Sequence, residues 1–165
     1  MKTLENKALM RICRKDLTVP NFKFIVNNIE LDEFPVKVRF DAIIFTELLE
    51  HLNFHPVPTL KKLHALLNDN GRNYMSTPDA AEHGKVQEIY NSYKEMPCPK
   101  KGSKVIDTHM YQYNKEELFS IIDEAEFKIK RFDYARGLGA RHFNLILQKK
   151  SFLSKTDGKK WPYTL

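Results

Sequence analysis

Glycine is scarce in this sequence: it occurs six times in 165 residues, and none of the six precedes Gly71. The N-terminal part therefore contains no glycine-rich loop of the kind that lets backbone amides approach a bound nucleotide closely. Long apolar runs are also missing, and charges interrupt the segment MKTLENKALMRICRKDL throughout. We therefore expect neither a signal-peptide core nor a membrane segment, and we predict a cytoplasmic protein.

Cysteine is nearly absent too, with only Cys13 and Cys98 far apart in the chain. They form no metal-type pair, so we interpret them as reduced thiols. The formal net charge of +6 favours anionic partners, but much of the excess lysine and arginine lies near the two ends of the chain. No aromatic-and-basic motif stands beside it, so nucleic acid is not the partner that composition predicts.

The composition suits one folded domain, because 42% of the residues are hydrophobic and 29% are charged. We place this domain at residues 1–150 and treat residues 151–165 as a tail. Hydrophobic spacing predicts helices over 3–15, from Pro58 to a cap at Gly71, over 84–94 and after Asn114, and strands over 22–29, 40–45, 72–76, 127–134 and 143–148. Asn114 followed by Glu117 predicts a capping box at the start of the last helix.

This order of elements predicts an α/β fold around a mostly parallel sheet. The segments FKFIV, DAIIF and RNYMS are expected to be parallel neighbours. The connection between the last two strands is too short for a helical crossover, so those strands should pair antiparallel at one edge.

Polar side chains follow two of the predicted strands. The residues TELLEH (46–51) follow DAIIF, and Asn27 and Asn28 follow FKFIV. Ligands of open α/β sheets bind beyond the carboxyl ends of the strands. The sequence therefore predicts a binding crevice where these two strands end.

Three segments carry a family resemblance: FDAIIFTELLEHL, LHALLNDNGRNYMSTPD and HMYQYNKEELFSIIDEAEFKI. In this order they resemble the class I S-adenosylmethionine-dependent methyltransferases, in particular the branch that contains the ubiquinone-biosynthesis O-methyltransferases. The resemblance covers about residues 22–149. It implies a partial Rossmann-like methyltransferase fold, S-adenosylmethionine as cofactor, and methyl transfer to a small-molecule or glycan-like acceptor.

The resemblance also implies roles for individual residues. Asn28 and Ile29 match positions that flank the adenine ring, while Thr46 and Leu48 match positions that line the methionine end of the cofactor. A simple turn is an equally open interpretation of the Asn-Asn pair. The resemblance places His51 and His109 near the same pocket, and imidazole suits them to remove a proton from the acceptor.

A divalent metal is a further hypothesis. Glu47, Glu50 and His51 share one face if a helix begins at Thr46, and His109 completes a set of two carboxylates and two imidazoles. This set resembles that of metal-dependent small-RNA 2'-O-methyltransferases. The alternative, which stays open, is that the two glutamates complement the dipole of a helix N-terminus.

The sequence also departs from the family pattern. The glycine-rich loop and the acidic residue that hold the middle of the cofactor are not found before Phe22. Glu126 stands where an Ala-Gly-Phe turn is usual, and Asn73 lies in a strand that is usually apolar. A fragment, one half of a split enzyme and a degenerate homologue all fit these departures.

Three functions therefore remain open: a small-molecule methyltransferase or its truncated remnant, a relative of RNA 2'-O-methyltransferases, and a non-catalytic interaction module. We expect this chain to bind the cofactor weakly or not at all. We also expect the flank left by the missing strands to be covered by the N-terminal helix, by a second copy in a homodimer, or by a missing N-terminal partner segment.

Overall fold

The computed structural model describes residues 25–83, 89–136 and 140–150. Its elements in chain order are strand β1 (Phe40–Thr46), helix α1 (Pro56–Leu66), strand β2 (Leu67–Pro78), short helix α2 (Ala80–His83), helix α3 (Lys115–Glu124), strand β3 (Phe127–Arg136) and strand β4 (Arg141–Lys149). Single turns of 3-10 helix occur at Leu49–His51 and Tyr93–Glu95. The predicted helix over 3–15 and the tail lie outside the described residues.

The described strands form one mixed sheet in the order β1-β2-β4-β3. Strands β1 and β2 are parallel, whereas β4 runs antiparallel to both β2 and β3. The α/β class and the antiparallel final pair at one edge are therefore confirmed. Within the described residues, however, only one pair of neighbouring strands is parallel.

The predicted position of DAIIF inside the sheet is wrong for the described residues, since β1 lies at the edge. We expected FKFIV on its open side, but Ile25 and Val26 are not in a strand, and residues 22–24 lie outside the described ranges. Two neighbouring strand ends therefore do not define the site. It has to be established from the positions of the side chains themselves.

Helices α1 and α3 pack against one face of the sheet. Leu60 and Leu63 of α1 join Leu118 and Ile121 of α3 and Met75 of β2 in a single buried cluster. This burial of apolar surface is the main stabilising term of the fold. None of the helices in the described part of the chain is long and apolar enough to traverse a membrane.

The opposite face of the sheet is much more exposed. Ile44 of β1 and Tyr74 of β2 are neighbours in register, and they are 75% and 39% exposed. An apolar surface of this kind favours association. Our separate expectation, that the open edge of the sheet is covered by the N-terminal helix, a missing segment or a second copy, stays a prediction.

Gly71 does not cap a helix, as the sequence suggested. Helix α1 ends at Leu66, strand β2 follows directly at Leu67, and Gly71 lies within that strand. A Cβ atom at Gly71 would lie 2.9 Å from the carbonyl oxygen of Phe40 and 3.0 Å from that of Asn68. The glycine is required there because the backbones approach closely.

The boundaries of α3 follow from local chemistry. The side chain of Asn114 accepts a hydrogen bond from the amide of Glu117, and the carboxylate of Glu117 accepts one from the amide of Asn114. The predicted capping box is thereby confirmed. After the helix, Glu126 adopts a φ of 65°, a left-handed conformation that explains why glycine is usual at this position.

The predicted helix over 84–94 is found only as a short turn in its described part. Residues 89–92 are not helical, and the 3-10 turn Tyr93–Glu95 follows them. Residues 84–88 lie outside the described ranges. Tyr93 is buried in the core, so the apolar signal of this segment reflects packing rather than a long helix.

Asn73 is an unusual feature of the sheet, because its amide is fully buried and neither polar atom has a hydrogen-bond partner within the described ranges. Its neighbours in register are Ile43 and Leu147, which are apolar. An unpaired buried polar group costs about 1–3 kcal/mol. We therefore expect Asn73→Val to raise the free energy of unfolding by about that amount in urea denaturation.

Asn70→Val provides the control, because Asn70 is an exposed residue of the same strand. Its unfolding free energy should change by no more than about 0.5 kcal/mol. A loss of stability in Asn73→Val would show that the amide is paired with a part of the chain outside the described residues.

Candidate functional site

The chain leaves β1 through a strained residue. Glu47 follows the last residue of the strand with a φ of 51°, and its amide donates to the carbonyl oxygen of Ser76 over 3.0 Å. No helix begins at Thr46, which was the condition for Glu47, Glu50 and His51 to share one face. A single 3-10 turn, Leu49–His51, takes its place.

A cleft of about 610 Å³ opens beside this turn. Its lining comes from three segments: residues 27–30 and residues 105–107, which we call its two walls, and Leu48 with residues 51–53, which we call its floor. Its lining includes Asn28, Ile29, Leu48 and His51. Residues predicted from two separate segments of the sequence are thus brought to one place.

Thr46 does not line this cleft. It lines a smaller cavity of about 260 Å³ together with Ser76 and Asn144. Three of the four residues to which the resemblance gives a cofactor role therefore share the large cleft. The fourth lies nearby in the chain but on a different surface.

Asn28 also has a structural role. Its side-chain oxygen accepts hydrogen bonds from the amides of Glu30 and Leu31, both over 3.0 Å. Its backbone carbonyl accepts a third from the amide of Asp32 over 2.9 Å. The side-chain oxygen of Asn28 therefore stabilises a turn, in agreement with the turn interpretation. The NH₂ group of the same side chain takes no part in these hydrogen bonds and can donate to a ligand.

Glu50, His51 and His109 form the metal-type cluster found among the described residues. One ligand atom of each lies within 4.8 Å of the other two, and the two imidazole rings are 4.6 Å apart in an edge-to-face arrangement. Carboxylate and imidazole are suitable ligands for several divalent metals. The cluster is held in place by Met110, whose amide donates to the carbonyl oxygen of Glu50 over 2.7 Å.

The carboxylate of Glu50 is buried, with 1% of the residue exposed. Burial raises the pKa of this carboxyl group, and the nearby charge of Glu47 raises it further. A hydrogen bond from the hydroxyl of Thr77, 2.9 Å long, acts in the opposite direction. A cation bound beside Glu50 would stabilise the negative charge of its carboxylate, which the neighbouring protein groups stabilise only in part.

The imidazole of His51 borders both the cluster and the cleft. Its Nδ1 atom lies 3.5 Å from a carboxylate oxygen of Asp107, which is too long for a hydrogen bond. The Nδ1 atom of His109 lies 3.3 Å from Nε2, the side-chain amide nitrogen of Gln112. The structure thus places both predicted bases close together, with His51 on the cleft itself.

The methyltransferase domain family model matches residues 6–131, which is more than half of the chain. The chain belongs to the methyltransferase domain family. No functionally curated protein matches this sequence significantly. The family assignment agrees with the resemblance seen in the sequence, although the match is to the general domain and not to the ubiquinone branch.

Solved methyltransferases resemble this domain in structure. The 1,6-didemethyltoxoflavin-N1-methyltransferase of Burkholderia thailandensis, solved with S-adenosylhomocysteine, is 15% identical with a TM-score of 0.56, over 92% of this chain and 59% of that chain. An S-adenosylmethionine-dependent methyltransferase of Methanosarcina mazei is 15% identical with a TM-score of 0.55, over 77% and 66%. The magnesium protoporphyrin IX methyltransferase of Synechocystis is 14% identical with a TM-score of 0.52, over 86% and 57%.

These similarities show that the domain has the fold of the class I methyltransferases. The chain spans less than two thirds of the length of each of these three proteins. The order β1-β2-β4-β3 with a parallel first pair is the part of the fold that the described residues contain.

Glu47 lies apart from the metal-type cluster of the methyltransferase domain. One of its carboxylate oxygens accepts a hydrogen bond of 2.6 Å from the hydroxyl of Ser76, and the other lies 3.3 Å from Nε2 of His142. The metal hypothesis included Glu47, and no sequence pattern singled out His142. The only indication in the sequence was that Ser76 lies at the carboxyl end of a predicted strand. Strand β4 runs antiparallel to β2, and this pairing brings His142 to the same end of the strand.

Proposed function

We propose that this chain is part of an S-adenosylmethionine-dependent methyltransferase that acts on a small-molecule or glycan-like acceptor. The observation that carries the proposal is the shared cleft, which brings Asn28 and Ile29 together with Leu48 and His51. Its volume of about 610 Å³ lies in the range of small-molecule sites. Membership of the methyltransferase domain family supports it.

The cleft fits part of this cofactor. In this proposal the amide of Asn28 and the side chain of Ile29 hold the adenine side of the cofactor, and Leu48 contacts its methionine side. The cofactor supplies an electrophilic methyl group on a sulfonium. The residues of this chain orient the acceptor and keep water out, and His51 or His109 takes the proton that the acceptor loses.

The test is an NMR titration of the chain with S-adenosylhomocysteine, in which the chemical shift of each backbone amide is followed. We expect the largest shifts at the amides of Asn28, Ile29, Leu48 and His51. Shifts confined to other surfaces, or none at all, contradict the proposed site.

The cluster of Glu50, His51 and His109 supports a second candidate, a metal-dependent relative of the RNA 2'-O-methyltransferases. A divalent cation held by these three residues would polarise an acceptor hydroxyl. This candidate requires RNA binding whose affinity falls steeply with salt concentration, because contacts to phosphates release counterions. RNA binding that is absent or insensitive to salt leaves the small-molecule acceptor as the better proposal.

The third candidate, a non-catalytic interaction module, makes the opposite prediction for both ligands. Neither S-adenosylhomocysteine nor a divalent metal should then bind in the cleft or at the cluster. Titrations with S-adenosylhomocysteine and with a divalent metal therefore distinguish all three candidates.

A further inference from the structure

We propose that Asn53 and Lys62 are positioning residues that hold the two walls of the cleft, an inference that rests on the proposed function. Both belong to the segment 53–62, which runs from the floor of the cleft into helix α1. One side chain bonds each wall. Neither residue was singled out by any sequence pattern.

Lys62 holds the wall that carries Asn28 and Ile29. Its ammonium group donates to three backbone carbonyls, those of Ile29 over 3.0 Å, Glu30 over 2.9 Å and Asp32 over 2.9 Å. An ammonium group has three donor hydrogens, so these contacts use its full capacity. A charged donor also makes stronger hydrogen bonds than a neutral one.

Glu30 attaches the same wall to the floor. It is 6% exposed, and its carboxylate accepts a hydrogen bond of 2.9 Å from the amide of Phe54. Burial raises the pKa of this carboxyl group, while the Phe54 and Asn53 contacts and the charge of Lys62 lower it. The wall is thus fixed to α1 and to the residues before it by two charged side chains.

Asn53 holds the opposite wall. It is 9% exposed, its oxygen accepts a hydrogen bond of 2.8 Å from the amide of Ile106, and its NH₂ donates over 3.0 Å to the carbonyl of the same residue. The NH₂ also donates to the carbonyl of His51 over 3.0 Å. The side-chain amide of Asn53 therefore bonds both backbone groups of Ile106, as a neighbouring strand would. It also connects the loop at Ile106 to the backbone of His51.

These anchors matter because neither wall belongs to a helix or a strand. Residues 27 and 28 have no regular structure, residues 29 and 30 lie in a turn, and residues 105–107 lie in a loop. Without repeating backbone hydrogen bonds, the positions of both walls depend on side chains that reach them from elsewhere. The separation of the walls, and with it the affinity for a ligand between them, therefore depends on Asn53 and Lys62.

The experiment compares Lys62→Met with Lys61→Met, and Asn53→Asp with Asn91→Asp. Lys61 and Asn91 are exposed, so each control makes the same change of charge without the anchoring contacts. The measurements are the dissociation constant for S-adenosylhomocysteine by NMR titration, amide hydrogen exchange of the two walls, and the melting temperature.

We expect Lys62→Met and Asn53→Asp each to weaken binding about tenfold or more, which is the effect of losing a hydrogen bond that involves a charged or buried group. Exchange should become faster at Glu30 and Leu31 in the first variant. It should also become faster at Ile106 in the second, because Asn53→Asp keeps an oxygen that accepts from the Ile106 amide but removes both hydrogen bonds that the NH₂ group donates, to Ile106 and to His51. A merely structural role would instead lower the melting temperature and speed exchange in α3 as well. The two controls should resemble the wild type in all three measurements.

Wild-type affinity in both variants overturns the inference. If the wild-type chain itself shows no response to S-adenosylhomocysteine, the proposed function fails instead, and hydrogen exchange decides the inference alone. Unchanged protection at Glu30 and Leu31 in Lys62→Met, and at Ile106 in Asn53→Asp, then overturns it.

Discussion

The 165-residue chain alone should bind S-adenosylmethionine about a hundredfold more weakly than a methyltransferase domain that includes a glycine-rich loop, with a dissociation constant of about 0.1 mM. The cleft offers Asn28 and Ile29 on the adenine side and Leu48 on the methionine side. No glycine precedes Gly71, so the backbone cradle for the middle of the ligand is not among these residues. The lost hydrogen bonds account for roughly 3 kcal/mol.

Calorimetry on the purified chain measures this affinity directly. Addition of a segment that carries the glycine-rich loop and the ribose-binding acid, fused to the N-terminus, should restore low-micromolar binding. The matched control is the same fusion with valine in place of the loop glycines, which should bind as weakly as the chain alone. Low-micromolar binding by the unmodified chain would contradict the prediction and would show that residues 1–24 or a second copy complete the cradle.

Features with a local cause were predicted well from the sequence. The capping box of Asn114 and Glu117 needs only two residues three positions apart, and the structure shows it. The α/β class followed from apolar periodicity, because alternating strands and helices are compatible with few layer arrangements. The antiparallel final pair followed from the length of one connection.

Features that depend on distant partners were not predicted. The glycine at position 71 looked like a helix cap, but it is required by the carbonyl oxygen of Phe40, which lies in the neighbouring strand β1, 31 positions earlier in the chain. Likewise, spacing grouped Glu47 with Glu50. The left-handed conformation at Glu47 turns that side chain toward Ser76 and His142 instead.

The site itself was predicted in part for the same reason. The family resemblance located Asn28, Ile29, Leu48 and His51, and the structure brings them to one cleft. The residues that hold its walls had no local signal. In the sequence, nothing distinguishes Lys62 from other lysines on a helix. Its role is seen only from the three backbone carbonyls that accept its hydrogen bonds.

Glu50→Gln should abolish divalent-cation binding and, at neutral pH, stabilise the metal-free chain. The carboxylate is one of the three candidate metal-binding groups of the cluster, and its loss should reduce the affinity for a cation about 100-fold or more, since even residues that only orient a metal ligand contribute up to that factor. The amide retains an oxygen that can accept the hydrogen bond from Thr77. The substitution therefore removes the buried charge and keeps this hydrogen bond.

The sign of the stability change follows from the pKa of Glu50, which burial raises in the folded state. The stability that this group contributes is fully present below its unfolded-state pKa and is lost as the pH rises through the raised folded-state pKa. Wild type and Glu50→Gln should therefore unfold at similar temperatures at about pH 4 and diverge toward pH 7. Each 1 kcal/mol gained raises the melting temperature by roughly 2–4 °C for a chain of this size.

The matched control is Glu47→Gln, because Glu47 is half-exposed and its carboxylate contacts Ser76 and His142 rather than the cluster. Titration with Zn²⁺ and with Mn²⁺, each followed by calorimetry, should show wild-type affinity for this variant and no binding for Glu50→Gln. If Glu47→Gln loses the metal as well, the two-carboxylate set predicted from the sequence is correct, and Glu47 must leave Ser76 when the cation binds. If neither substitution changes the affinity, the metal binds elsewhere, and the RNA 2'-O-methyltransferase candidate loses its support.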